Sequence, residues 1–75
     1  MHTSRITSDY RIMLGKPIVS GTRITVELLL RKMGQGATPT DLVVMYPHLT
    51  QDDIQAVLNY AADVLANQEL MEASA

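Results

Sequence analysis

Cysteine is absent from this 75-residue chain, so neither a disulfide nor a thiolate metal site can add to its stability. The length makes one domain. A domain this small buries only roughly 60% of the surface of its unfolded chain. The remaining ways to gain burial are a second copy or a partner, and a homodimer or an obligate partner complex is expected on that ground. No uninterrupted apolar run approaches the ~20 residues of a membrane span. The first ten residues are polar with no apolar stretch behind them, so no signal peptide is expected either. No membrane partner is anticipated, and the lack of cysteine fits a cytoplasmic protein.

Bases are missing from more than half of the chain. All six Lys and Arg residues fall at Arg5, Arg11, Lys16, Arg23, Arg31 and Lys32. Residues 1–36 set them against Asp9 and Glu27, a net of +4, while residues 37–75 carry six carboxylates and no base, a net of −6. The overall −2 conceals this division, which points to two faces with different partners.

The residue types that catalysis needs are also scarce. The only two histidines are His2, in the polar N-terminal stretch, and His48, in a turn after Pro47. No nucleophile–base–orienter set can be assembled from them. Asp52 and Asp53 are adjacent, and neighbours on a helix point about 100° apart, so they cannot share a site. They read instead as residues that complement a helix dipole. Gly34-Gln35-Gly36 lacks the further Gly, Lys and Ser/Thr of a phosphate loop. The expectation is a protein that is not an enzyme, with no cofactor and no metal site.

What is present is a polar segment followed by punctuated helical patterns. Residues 1–10 lack helical periodicity and are expected to be a flexible arm or an edge strand. Arg11–Leu14 and Ile18–Ile24 are β-favouring runs divided by Gly15-Lys16-Pro17, with a second kink at Ser20-Gly21, which predicts a short hairpin or a bent extended segment. An isolated hairpin is barely stable in water, so it must lie on the helices or on a second copy.

Thr25 is a cap for a first helix, with Glu27 in its first turn and Val26, Leu29, Leu30 and Met33 as its apolar stripe. Gly34 or Gly36 ends it. Thr38, Pro39 and Asp41 open a second, short helix whose buried side is expected to be Leu42, Val43, Met45 and Tyr46. Thr50 caps a third, with Ile54, Val57, Leu58, Ala61 and Leu65 as the stripe and Val64 beside it. Residues 68–75 are expected to be a C-terminal tail, frayed or ordered by a partner.

The fold class that follows is mainly α: a tri-helical, homeodomain-like or helix–turn–helix bundle over residues 11–67, preceded by a short N-terminal hairpin or extended arm. Its joint is the interhelical turn Tyr46-Pro47-His48-Leu49-Thr50. Many such layouts bind DNA, with the helix after the turn as the reader. Here that helix opens with Gln51, Asp52 and Asp53 and holds no base, which opposes the main source of affinity for a phosphate-lined groove. DNA contact, if made, falls to Arg5, Arg11, Lys16 and Arg23.

The run Gly15-Lys16-Pro17-Ile18-Val19-Ser20-Gly21-Thr22-Arg23-Ile24, the helix after it, and Tyr46-Pro47-His48-Leu49-Thr50 with Asp53-Ile54 closely resemble a bacterial family. It is catalogued as a domain of unknown function and carries the pattern G-K-P-x-I/V-x-G-T-R-I…Y-P-x-L. The match spans about residues 11–66. The resemblance implies a homeodomain-like tri-helical fold in which Gly15, Lys16, Pro17, Gly21, Thr22 and Arg23 form the signature segment. For many members it further implies an antitoxin (VapB-type) of a type II toxin–antitoxin pair. The partner so implied is a PIN-like ribonuclease toxin, with operator DNA as a further candidate. Thr25 stands where the pattern often has Pro and keeps a helix start. Ser20 stands where a basic residue is common, which weakens a DNA contact at that position. Two readings from other classes stay open: a stand-alone DNA-binding regulator and a dimeric adaptor without a DNA role.

Overall fold

The computed structural model describes the backbone of residues 5–74 and the side chains of residues 5–67. Three helices pack with one two-stranded antiparallel hairpin. The order is β1 (Ile6–Thr7), a tight turn over Met13–Gly15, β2 (Ile18–Val19), α1 (Val26–Gly34), α2 (Pro39–Met45) and α3 (Gln51–Ser74). One core draws on β2, all three helices and the interhelical turn: Val19, Val26, Leu29, Leu42, Leu49, Ile54 and Val57. The fold is the mainly helical, three-helix arrangement with an N-terminal hairpin that the sequence predicts.

The hairpin pairs differently from the simplest reading of its pattern. β2 pairs with Ile6–Thr7, Ile6 opposite Val19 and Thr7 opposite Ile18, and not with the Arg11–Leu14 run. The Asp9 carboxylate accepts the Arg11 amide N–H at 2.9 Å, and the Ile12 amide N–H donates to the Asp9 carbonyl at 2.8 Å. That turn reverses the chain before a second strand can form. Met13, Leu14 and Gly15 then take φ of 53°, 57° and 84°, a left-handed course that no strand permits. Of the two alternatives for this segment, a flexible arm or an edge strand, Ile6–Thr7 forms the strand, and the half-buried Ile6 packs against the core. The first four residues of that arm lie outside the described residues.

Each helix begins on a threonine. The Thr25 hydroxyl accepts the Leu28 amide at 3.0 Å, while Glu27 lies in the first turn and Arg31 and Lys32 in the last, all matched to the helix dipole. The stripe Val26, Leu29, Leu30 and Met33 faces the core. The end of α1 is fixed by Gly36, not Gly34: at φ +109° it lets its own amide reach the Met33 carbonyl at 3.0 Å and the Ala37 amide reach that of Lys32 at 3.0 Å. This closure requires a left-handed residue after the cap.

In α2, Thr38 and Asp41 exchange side-chain bonds to each other's amides at 3.1 and 2.9 Å, with Pro39 in the first turn. Leu42 is fully buried, but Met45 is 48% exposed and so does not belong to the buried side. A helix of seven residues ended by Pro47 offers the core only a narrow arc, and Leu42 with the half-buried Val43 and Tyr46 fills it.

Thr50 and Asp53 repeat the same box at the start of α3, at 3.2 and 3.0 Å. Ile54 and Val57 are buried, whereas Leu58, Val64 and Leu65 are 43%, 38% and 56% exposed. The stripe expected from periodicity is present along the helix, but only its first three turns, through the half-buried Tyr60 and Ala61, lie over the rest of the fold. The backbone stays helical through Ser74, so the C-terminal tail begins as a continuation of α3; the side chains of residues 68–75 lie outside the described residues.

Candidate functional site

The signature segment folds into a loop closed upon itself between β2 and α1. Gly21 has φ +81°, the value a type II turn needs at its third position, and the Thr22 amide donates to the Val19 carbonyl at 3.0 Å. The Thr22 hydroxyl also donates to the Val19 carbonyl at 2.8 Å and accepts the Ile24 amide at 3.0 Å. The Val19 amide returns to the Ile24 carbonyl at 2.9 Å. Thr22 is therefore the internal brace of the loop. On the upstream side, the Pro17 carbonyl accepts the Val26 amide at 2.9 Å, tying the segment to the first turn of α1. Gly15 lies in the left-handed turn before it, where an added Cβ would meet Tyr10 Cα at 3.7 Å.

Arg23 projects from this braced loop, exposed. The interhelical turn approaches it from the other side. Leu49 is buried and its amide donates to the Tyr46 carbonyl at 2.8 Å. Tyr46 is half-buried against the core, Thr50 caps α3, and Pro47 and His48 are left exposed. Ser20, Gly21, Thr22, Arg23, Ile24 and His48 line a groove of about 550 Å³. Two motifs that are more than 20 residues apart in the chain thus form one surface.

The four bases considered for DNA contact are not brought together. Arg5 Nη1 donates to Asp53 Oδ1 at 2.9 Å, and its Nη2 lies 3.7 Å from Asp52 Oδ2. Arg11 binds Asp9 at 3.0 Å, and Lys16 reaches Glu27 at 3.4 Å. Arg23 alone of the four makes no ion pair among the described residues. The Arg11 side chain and backbone amide hold the exposed Asp9 carboxyl below its ordinary value. The Arg31 hydrogen bond, reinforced by Lys16, does the same for Glu27.

Arg5 is the residue whose role the sequence concealed. It bridges β1 to the start of α3 across 48 residues of chain, next to a second groove of about 370 Å³ lined by Arg5, Ile6, Ala56, Asn59, Tyr60 and Asp63. No local pattern announces such a pair. The Thr50–Asp53 box, by contrast, has the spacing of Thr38–Asp41, the local signal that could have disclosed a capping role for Asp53 beyond complementing the helix dipole. Among the described residues no group of three His, Asp or Glu side chains comes close enough to hold a metal ion, and no helix is long and apolar enough to cross a membrane.

Residues 6–61 match the profile of a family described as a protein of unknown function, DUF433. A solved crystal structure of a DUF433 member from Anabaena variabilis is similar to the chain at a TM-score of 0.79 and 28% identity, over 96% of this chain and 68% of that one. No functionally curated protein matches. The matched span runs from β1 through Ala61 of α3 and includes both the signature loop and the interhelical turn, so this chain belongs to the DUF433 family.

Proposed function

We propose that this chain is the non-enzymatic antitoxin of a type II toxin–antitoxin pair, a homodimeric module that binds and neutralises a PIN-like ribonuclease. The observation that carries the reading is the unpaired Arg23, held by a braced loop in a groove where both signature motifs meet. A metal-dependent nuclease lines its cleft with carboxylates. A guanidinium on a rigid loop suits them, because it offers a planar fork of donors without first ordering its support. Among the described residues it makes no ion pair, so none of theirs must be broken. Self-association is supported by the small core and by large apolar side chains left exposed elsewhere, Tyr10 at 77% and Leu14 at 76%.

The test is co-expression with the product of the adjoining reading frame. Wild-type chain restores growth and forms a stable complex; Arg23→Glu loses rescue while unfolding at the same temperature, because Arg23 holds nothing in place. Absence of both complex and rescue with wild-type chain sinks the reading.

A second reading, a DNA-binding regulator that includes control of its own promoter, is favoured by the three-helix layout. It requires Arg5, Arg11 and Lys16 to leave Asp53, Asp9 and Glu27 for phosphates. A shift of upstream DNA that weakens steeply with salt is its signature.

A further inference from the structure

The strand β1 has a neighbour on one side only, since the sheet holds two strands. The Arg5 carbonyl accepts the Ser20 amide at 2.7 Å, and the next pair along the ladder is Ile6 opposite Val19. The Val19 amide turns the other way, to the Ile24 carbonyl at 2.9 Å. Backbone groups alternate in direction along an antiparallel pair, so those of Ile6 and Val19 both point out of the ladder. The amide and carbonyl of Ile6 therefore face away from β2, and among the described residues neither has a partner. An edge of this kind is a template for a further strand.

α3 runs beside that edge. Arg5, Ile6, Ala56, Asn59, Tyr60 and Asp63 line a groove of about 370 Å³. The four from α3 recur at i, i+3, i+4 and i+7, which places them on one stripe. Ala56 and Tyr60 are half-buried, and Asp63 is exposed at the end. Arg5, the base in the same groove, is held by Asp53 and Asp52. Asp63 makes no ion pair among the described residues. The groove thus joins three features: a free main-chain donor and acceptor, an apolar floor, and an unanswered carboxylate.

An extended segment answers all three together, because its main chain pairs with the edge while alternate side chains meet the helix. Tyr60 and Asp63 lie about 4.5 Å apart along the helix axis, and same-face side chains of a strand stand about 6.6 Å apart. An apolar side chain over Ala56 and Tyr60 therefore sets the next one on that face within reach of Asp63. We infer that the groove between β1 and α3 binds an extended peptide segment of a partner protein, added to β1 as a third strand. The segment has an apolar residue over Ala56 and Tyr60 and a Lys or Arg two residues away against Asp63. The β1 of a second copy brings no spare base, since its Arg5 is engaged with Asp53. The carboxylate disfavours nucleic acid. This site shares no residue with the Arg23 groove and does not rest on the nuclease reading.

The experiment passes the full-length chain over an array of acetylated peptides of about nine residues in a Ser/Thr background. Each carries one Val and one Lys or Glu, set one, two or three residues apart. The peptides with Lys two residues from Val are expected to be retained at least about tenfold better than the Glu peptides. Asp63→Lys, at an exposed position, is expected to reverse that preference with an unchanged unfolding curve. A single N-methyl group moved along the peptide backbone is expected to cost about tenfold or more where it removes the bond to Ile6. Retention of no peptide above the Ser/Thr background overturns the inference, as does an undiminished Lys preference in Asp63→Lys. Tolerance of every N-methyl position overturns it too, because side-chain docking alone would then suffice. Loss of self-association in Asp63→Lys, with no peptide retained by wild type, gives the groove to a second copy instead.

Discussion

The first three turns of α3 and the turns after them carry the same apolar periodicity and meet opposite fates. Ile54 and Val57 are sealed in the core at 1% and 0% exposure, and Leu65, two turns further along the same face, stands 56% exposed. The proximal turns also have their charges answered, Asp53 by Thr50 and Arg5, while the distal turns have no base of their own to answer theirs. The difference teaches that an amphipathic stripe specifies a buried face only where the rest of the fold reaches. Beyond that limit the same stripe is a surface.

The strongest test of this contrast pairs two leucines. Leu42→Ala, at a fully buried site, is expected to cost about 2–5 kcal/mol, a large part of the ~5–15 kcal/mol that a small domain has. Leu65→Ala is expected to change monomer stability by less than about 0.5 kcal/mol. Urea unfolding followed by circular dichroism reads both. Equal costs would mean that the distal stripe is covered within the monomer, and the contrast would collapse.

A smaller effect sharpens the electrostatic half. Asp53→Ala removes the acceptor of the Thr50 amide and of Arg5, and is expected to cost about 1–3 kcal/mol. Asp63→Ala, on the exposed distal helix, should cost nothing measurable. If Arg5→Ala leaves stability unchanged, β1 is held by its pairing with β2 and by Ile6, and the clamp contributes nothing.

The smallest effect is in acid. Glu27 is held below its ordinary value of 4.5 chiefly by Arg31 and then by Lys16. A carboxyl lowered in the folded state stabilises above its unfolded value and loses that contribution as pH falls through the lowered one. Glu27→Gln should therefore match wild type in slope from pH 6 to 8 and show a flatter acid limb below about 4.5. The pair is exposed, so the effect is slight; a divergence confined to neutral pH would contradict its origin.

Much of this was written locally in the chain. Thr25, Thr38 and Thr50 announce three helix starts through side chains that reach amides three residues on, and such signals need no distant partner to be read. The Gly-shaped segment from Gly15 to Ile24 likewise declares a kinked loop. The strand partner was not legible, because Ile6-Thr7 is too short to show alternation, and the better β run at Ile12–Leu14 is diverted by the Asp9 turn. Nor was the groove, since nothing in the spacing of Gly21–Arg23 and His48 says that the loops bearing them meet.

By itself the sequence determined the three helices, their boundaries at the threonine caps, and the division between a basic first half and an acidic second half. These depend on side chains acting within a few residues, or on composition alone. Tertiary structure decided which carboxylates answer which bases, which half of the α3 stripe is core, and that Arg23, with no ion pair among the described residues, lies beside His48. Those outcomes depend on where elements end in space relative to one another, a quantity that neither periodicity nor capping encodes.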